Sequence, residues 1–399
     1  MAVYEMSPAP GAGAKLARPV ELICFALIVA HAVYLATSYL TGIWLVASDG
    51  SGVPSDFVNV WAAGRLAFTG HAAAAYDWTI HKHVEEHALG RPFPGYFGWH
   101  YPPPFLFAAA ALSLIPYAQA FALWVFGTFP PYLVAIRAII GNRIGYLLAA
   151  AFPAVLANFL AGQNGFVTAS LVGGGLVLLE ERPALAGVLI GLLSYKPHLG
   201  LLFPIALVAG GYWRALFTAG AVALGMAAAS WAAFGTDTWH AFFASMGHTS
   251  QAFLSDGWAD FSKLQTAFGF ARMLGGSEPL AWTVQIAVAL ATAGAVIALW
   301  RSRADYDIKA AALAAGAMLA TPYLYLYDLV VLAVPLAFLF RAGRKRGFLP
   351  HEMAGIGAVC LLILIFPFVK APVGFAAVLV TTALIARRAL PPRPHSVAA

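Results

Sequence analysis

A polar interval between residues 54 and 105 carries much of the ionisable chemistry in the first half of this sequence. It holds Asp56, Asp77, Arg65 and five of the eleven histidines. The whole chain is only 10% charged and 61% hydrophobic. Such a concentration of polar groups makes this interval the first candidate for a functional site.

Asp56 is the leading candidate for acid–base chemistry. It follows Ser55, which is a typical helix N-cap, so Asp56 is expected in the first turn of a helix. The positive end of a helix favours an ionised carboxylate, and a general base must be ionised. Asp77 is the second candidate for this role. The alternative for both is structural, because Asp is common at helix starts and in solvated loops.

The sequence Lys196-Pro197-His198 interrupts two apolar runs. Ionisable groups at membrane depth are costly and usually functional, and a proline break is tolerated where a helix lines a cavity. Two adjacent side chains that can carry positive charge suit a phosphate or pyrophosphate group. The alternative is a lysine at a helix end whose ammonium reaches the membrane surface.

Other polar residues lie in turns or polar loops next to apolar runs. Each alone is typical of a turn or of an interfacial aromatic belt. Taken with Lys196 on one predicted side of the membrane, they are candidate substrate contacts: Gln163, Asn164, Gln265, Tyr327 and Asp328.

The histidines of the first polar interval also raise the possibility of a metal site. His83 and His87 are four residues apart, so a helix would place them on one face. No acidic residue at a recognised spacing completes a ligand set. We therefore predict no metal site.

The elements that position these residues are membrane helices. A mean hydropathy of +0.78 is typical of polytopic membrane proteins. The net charge of +6 comes from short basic clusters between apolar runs, as in cytoplasmic loops, and does not indicate nucleic-acid binding. Cys24 and Cys360 both lie inside apolar runs, which disfavours a structural disulfide. The first run, roughly residues 20–46, is long enough to cross ~30 Å of hydrocarbon.

The basic clusters predict the orientation of the chain. Lys15 and Arg18 precede the first run, which predicts a cytoplasmic N-terminus and an extracytoplasmic Asp56. Residues 1–399 are predicted to form a single integral membrane domain with about twelve spans. Residues 105–116 are too short for a span and are interpreted as a partial or re-entrant helix. Extracytoplasmic loops are predicted at 47–104, with helices lying in the membrane interface, and at 235–279.

Several short motifs, in this order and spacing, resemble glycosyltransferase family 87, the polyprenol-phosphate-mannose-dependent mannosyltransferase-like family. The resemblance covers about residues 20–390. The motifs that carry it are Asp56-Phe57, Trp61-Ala62-Ala63-Gly64-Arg65, Gly70, Tyr76-Asp77, Tyr101-Pro102-Pro103, Ile115-Pro116-Tyr117, Gly162-Gln163-Asn164, Lys196-Pro197, Thr321-Pro322 and Tyr327-Asp328.

The resemblance implies an all-α enzyme of the GT-C architecture in the bacterial inner membrane. Such an enzyme takes a sugar from a polyprenyl-phosphate donor on the extracytoplasmic face and transfers it, with inversion, to a hydroxyl of a lipid or glycan acceptor. Asp56 would be the general base, and Lys196, His198 and Arg65 would bind the donor phosphate. No cofactor is implied, and the partners are membrane lipids and the two substrates. Some members carry a histidine pair where this chain has Tyr327-Asp328, so mannose is only the default sugar.

Two other classes of protein remain open from the sequence. A transporter or flippase of lipid-linked sugars or polar solutes would also have many spans and a few intramembrane charges. The sequence has no internal repeat, however, and its first loop is large for a simple gate. A non-enzymatic membrane assembly factor is the third possibility, and no specific residue favours it.

Overall fold

The computed structural model of the chain describes the backbone of residues 12–258 and 260–390, with side chains from residue 18 onward. The Lys15 side chain, which contributes to the predicted orientation of the N-terminus, lies outside the described residues. Within these ranges the chain is helical and forms no β-strand, only a single antiparallel bridge between Val46 and Gly52. The predicted all-α fold is confirmed.

Eighteen α-helices follow one another in the described chain. They are α1 (Ala12–Leu40), α2 (Phe57–Phe68), α3 (Trp78–Leu89), α4 (Leu106–Leu112), α5 (Tyr117–Ile140), α6 (Ile144–Ala150), α7 (Ala154–Ala161), α8 (Gly165–Leu178), α9 (Pro183–Leu192), α10 (Pro197–Gly200), α11 (Leu202–Gly210), α12 (Trp213–Ser250), α13 (Ala267–Met273), α14 (Glu278–Arg301), α15 (Tyr306–Ala320), α16 (Ala333–Arg346), α17 (Glu352–Leu364) and α18 (Val373–Ala389). Short 3₁₀ turns occur at Ala72–Tyr76, Pro103–Phe105, Leu193–Tyr195, Phe261–Lys263, Leu326–Leu332 and Phe366–Phe368, and a π-helical turn at Gln251–Ser255.

Five helical stretches in the described ranges are long and apolar enough to cross a membrane. They are 18–40, 117–140, 213–255, 278–301 and 326–346, and the pair α6–α7, bent by 58°, makes a sixth if it is one broken span. Five shorter apolar helical stretches of 10–17 residues lie between them. The predicted count of about twelve spans therefore remains a prediction, because many apolar runs are broken into pieces. α4 has seven residues, about 10 Å of helix, which is too short to cross a bilayer.

The first polar interval folds into two helices, and α2 lies inside the protein. Ten of its twelve residues are buried, and only Arg65 and Phe68 are exposed. α2 packs on α4 so closely that a Cβ at Gly64 would lie 2.0 Å from the carbonyl oxygen of Ala109. The sequence predicts one face of this helix on the membrane interface, whereas α3 and α4 pack over it. The region after α2 is a 3₁₀ turn, Ala72–Tyr76, followed by α3, with Asp77 between them.

The predicted second loop, residues 235–279, contains substantial helix. α12 continues through it to Ser250 after a kink at Gly235, where φ is 80° and ψ is 169°. The irregular part of the interval then leads into α13. Hydropathy alone does not predict that α12 continues after Gly235, because the segment that follows is polar enough to be interpreted as a loop.

The basic clusters predicted to be cytoplasmic form ion pairs with carboxylates of nearby helices. Asp307 at the start of α15 is buried and pairs with Arg341 and Lys345 of α16, the latter at 3.0 Å. Glu352 at the start of α17 pairs with Arg388 at the end of α18. These ion pairs join the ends of α15 and α16 and of α17 and α18.

Candidate active site

Asp56 lies at the N-cap position of α2, but its side chain does not cap the helix. The carboxylate is half-buried and accepts a hydrogen bond of 3.1 Å from the Gln163 side-chain amide. The predicted N-cap, Ser55, instead makes a 2.9 Å hydrogen bond with the Tyr117 hydroxyl. The helix thus begins one residue later than predicted. The Asp56 side chain does not cap the helix, which was the structural alternative for this residue.

Gln163 is positioned by a tight turn between two broken helices. α7 ends at Ala161, and Gly162 reverses the chain with φ of +67° before α8 begins at Gly165. A Cβ at Gly162 would lie 2.6 Å from Phe57 and 2.4 Å from Phe121, so only glycine fits this contact. The turn therefore places Gln163 directly against the start of α2.

A chain of hydrogen bonds connects Asp56 to Lys196. The Tyr101 hydroxyl donates to the Gln163 side-chain oxygen at 3.0 Å and accepts from the Asn164 amide at 2.7 Å. The Lys196 ammonium donates to the Asn164 side-chain oxygen at 2.9 Å. Four of the predicted site residues thus meet in one network.

Tyr101 is the residue that sequence reasoning did not select. Its ring packs against Trp99 and Phe105, with centroids 5.1 and 4.9 Å away, which holds the hydroxyl toward Gln163. The signal was the Tyr101-Pro102-Pro103 motif, in which proline fixes the backbone directly after the tyrosine. Tyrosine in a membrane protein is otherwise typical of interfacial belts.

Lys196 is buried in the network and is not a lysine reaching the membrane surface. Only 4% of the residue is exposed, and its ammonium forms an ion pair with buried Asp328. The Tyr327 ring lies 5.9 Å from the ammonium, and the backbone N–H of Tyr325 donates to the other oxygen of Asp328 at 3.1 Å. The predicted residues Tyr327 and Asp328 therefore join the site through Lys196.

The electrostatics of the network favour a carboxyl that can exchange a proton near neutral pH. Burial raises the pKa of Asp56 to about 6, since desolvation disfavours the charged form. The hydrogen bond from Gln163 opposes this shift, the negative charge of Asp328 adds to it, and Lys263 and Lys196 lower the pKa. A base with a pKa somewhat below the working pH is both ionised and able to accept a proton.

Besides Tyr327, whose ring only lies near Lys196, four predicted site residues are not in the hydrogen-bonded network. Arg65 is exposed and lies nine residues along α2 from Asp56, roughly 13 Å of helix. Asp77 is exposed and caps α3, accepting from the N–H groups of Thr79 and Ile80 at 2.9 and 3.0 Å. His198 is half-buried beside Tyr323, with ring centroids 6.3 Å apart.

Gln265, the fourth of these residues, is buried and connects three parts of the backbone. Its side-chain oxygen accepts from Gly374 N–H at 2.7 Å, and its amide donates to the carbonyls of Ser262 and Lys263, both at 3.0 Å. Its own N–H donates to Leu324 at 2.7 Å. Gln265 thus positions the loop that precedes α13.

The histidines of the first interval divide between the surface and the core. His83 and His87 are exposed on α3, while His81 is fully buried with Nδ1 3.6 Å from the Glu85 carboxyl. Burial raises the pKa of Glu85 to about 8 and lowers that of His81 to about 3, so both are neutral at pH 7. In the part of the chain that the structure describes, no group of three or more His, Cys, Asp or Glu side chains could hold a metal ion.

Comparison with known proteins identifies the family. The family model described as glycosyltransferase family 87 matches residues 99–322, more than half of the chain. The chain belongs to glycosyltransferase family 87. No curated protein and no solved structure matches it. Membership of this family indicates a membrane glycosyltransferase with the GT-C fold rather than a transporter or flippase.

The matched residues include part of the site. Gln163, Asn164 and Lys196 lie within residues 99–322, whereas Asp56 precedes them and Asp328 follows. The first-loop carboxylate thus joins the matched region through its contact with Gln163 rather than through the family match itself.

Proposed function

We propose that this member of glycosyltransferase family 87 transfers a sugar, mannose by default, from a polyprenyl-phosphate donor to a hydroxyl of a lipid or glycan acceptor. The reaction takes place at the extracytoplasmic face of the bacterial inner membrane and inverts the anomeric carbon. Asp56 is the general base. The observation that carries the proposal is the half-buried Asp56 carboxylate, which does not cap α2 and accepts a 3.1 Å hydrogen bond from Gln163.

The proposed chemistry needs a base on one side of the sugar and a leaving phosphate on the other. Asp56 takes the proton of the acceptor hydroxyl as its oxygen bonds to the anomeric carbon. The bond from that carbon to the phosphate oxygen breaks, and its electron pair leaves with the polyprenyl phosphate. The anomeric carbon is attacked from the side opposite the leaving group, so its configuration inverts. In this scheme no cofactor takes part.

Lys196 and His198 are the proposed neighbours of the donor phosphate. Lys196 is connected to Asp56 through hydrogen bonds of Asn164, Tyr101 and Gln163. Because the Lys196 charge is already paired with Asp328, its effect on the phosphate is shared with that carboxylate. Arg65, which is exposed away from the network, has no place in the proposed mechanism.

The test compares two conservative substitutions in the first interval. Asp56→Asn removes the base but keeps the shape, and transfer of labelled mannose from polyprenyl phosphomannose to a membrane lipid and glycan extract is expected to fall about 100-fold or more. Asp77→Asn is the matched control, because Asn caps a helix as well as Asp and the residue is exposed. Full activity of Asp56→Asn at wild-type expression would remove Asp56 from the mechanism.

A further inference from the structure

The donor phosphate needs positive charge that the buried network does not fully supply. As the sugar leaves, negative charge grows on the phosphate oxygens, and a nearby cation stabilises that charge. Lys196 is buried and its ammonium is bound to Asp328 and Asn164. A second cation, exposed and beside the same network, would supply the missing charge.

Lys263 is an exposed lysine at the end of the 3₁₀ turn Phe261–Lys263. Asp260 caps this turn by accepting from the Ser262 N–H at 3.0 Å. In the described part of the chain, no hydrogen bond or ion pair holds the Lys263 ammonium. The Asp260 carboxylate lies near enough for the Lys263 charge to lower its pKa, but the two form no ion pair. The Lys263 ammonium therefore keeps hydrogen-bond donors for a ligand.

The loop that carries Lys263 is fastened to the segment that carries Asp328. Gln265 donates from its side chain to the Lys263 carbonyl and from its backbone to the Leu324 carbonyl. Leu264, next to Lys263 in the chain, belongs to a small apolar cluster against which Tyr323 and Tyr325 pack. The backbone N–H of Tyr325 donates to Asp328 at 3.1 Å, so the segment that contacts the loop also carries the carboxylate partner of Lys196.

The charge of Lys263 also reaches the proposed base. It lowers the pKa of Asp56, and to a greater degree than Lys196 does. Lys370, another exposed lysine, lies close enough to act with Lys263 on the pKa of Asp260 but is not among the charges that act on Asp56. Of these two lysines, Lys263 is the one whose charge acts on the proposed base.

We propose that Lys263 binds the phosphate of the polyprenyl-phosphate donor and stabilises the negative charge of the leaving polyprenyl phosphate. This inference rests on the proposed function. In the step described above, the electron pair of the breaking carbon–oxygen bond goes to the phosphate oxygen, and the Lys263 ammonium donates a hydrogen bond to the phosphate. Gln265 is a positioning residue for Lys263, which accounts for a buried glutamine in a polar loop.

The experiment measures binding of polyprenyl phosphate alone to the purified full-length protein, with Lys263→Ala, Lys263→Arg and Lys370→Ala. A hydrogen bond to a charged group is lost in Lys263→Ala, so its Kd is expected to rise about 10- to 100-fold. Lys263→Arg keeps a cation and is expected to restore most of the affinity, while Lys370→Ala binds as wild type. In turnover, Lys263→Ala raises the KM for polyprenyl phosphomannose.

The outcomes separate the two proposals. A Kd for Lys263→Ala within twofold of wild type overturns the role of Lys263, and so does an equal loss in Lys370→Ala, which would indicate a general surface charge effect. If wild type binds polyprenyl phosphate and Asp56→Asn loses transfer, the proposed function stands in either case. If the wild-type protein binds no polyprenyl phosphate, the proposed function falls together with the inference.

Discussion

At the scale of single residues, the contact between Gln163 and Asp56 determines how the carboxylate behaves. The Gln163 side-chain oxygen accepts from the Tyr101 hydroxyl, so its amide group is left to donate to Asp56. This hydrogen bond stabilises the ionised form and opposes the effect of burial on the pKa. The balance between the two keeps the pKa near 6 rather than higher.

Gln163→Leu tests this balance through the pH dependence of the reaction. Asp56, the proposed base, can accept a proton only when ionised, so wild-type kcat/KM is expected to fall as pH drops below about 6. Loss of the amide destabilises the carboxylate and raises its pKa, which moves this acidic limb to higher pH by about one unit. Gln119→Leu, at an exposed glutamine, serves as control. An acidic limb at the same pH in Gln163→Leu and wild type would contradict the assignment.

Most of the candidate site residues could be predicted individually from the sequence, but the contacts between them could not. Asp56, Gln163 and Lys196 stand out because polar side chains are rare in an apolar chain. The pairing of Lys196 with Asp328 joins residues 132 positions apart, and no local pattern encodes such a contact. Arg65 stood out for the same reason as Asp56, yet its position on α2 places its side chain at the protein surface.

At the scale of elements, the site is built where helices are broken. Gln163 lies in the turn between α7 and α8, and Lys196 lies between a 3₁₀ turn and α10. Asp328 is in the 3₁₀ segment before α16. Broken helices are tolerated at membrane depth where the backbone is buried in protein or lines a cavity, and Gly and Pro in the sequence mark them. Hydropathy alone, however, interprets the pieces as separate spans, which is why the number of spans could not be predicted.

The Lys196–Asp328 pair is expected to stabilise the junction between two of these breaks. Removal of one partner by Lys196→Met leaves Asp328 as a buried unpaired charge, at a cost on the order of 3–5 kcal/mol. The double variant Lys196→Met/Asp328→Asn removes both charges and is expected to regain much of this stability. Thermal unfolding of the protein in detergent measures both effects.

The same variants separate a structural role of Lys196 from a role in donor binding. If Lys196 also acts on the donor phosphate, the double variant is stable yet has a raised KM for polyprenyl phosphomannose. A double variant with wild-type stability and wild-type donor KM would make the pair purely structural. A single Lys196→Met variant that unfolds at the wild-type temperature would show that the pair adds no stability.

At the scale of the whole molecule, two groups of charged residues form separate sets of contacts. Asp56, Lys196 and Asp328 belong to the network of the candidate site. Asp307 and Glu352 pair with the basic clusters of the last helices. The sequence predicts the basic clusters, but not their carboxylate partners, from the distribution of Lys and Arg, because cytoplasmic loops are enriched in both. It could not predict that α2 is buried, since its apolar face alone equally suits a membrane interface.

The orientation of the molecule can be tested by cysteine labelling from outside the cell. We expect the α3 surface, on the Asp56 side, to be extracytoplasmic and the basic end of α16 to be cytoplasmic. In a background with Cys24 and Cys360 changed to Ala, a membrane-impermeant maleimide should label His83→Cys in intact cells. Arg344→Cys should be labelled only after permeabilisation; both positions are exposed in the structure. The reverse pattern would place Asp56 on the cytoplasmic side, and the acceptor would then also have to be there. Labelling of both positions in intact cells would indicate leaky membranes and require an assay in sealed vesicles. Because the two sites lie on opposite predicted faces of one chain, each is the control for the other.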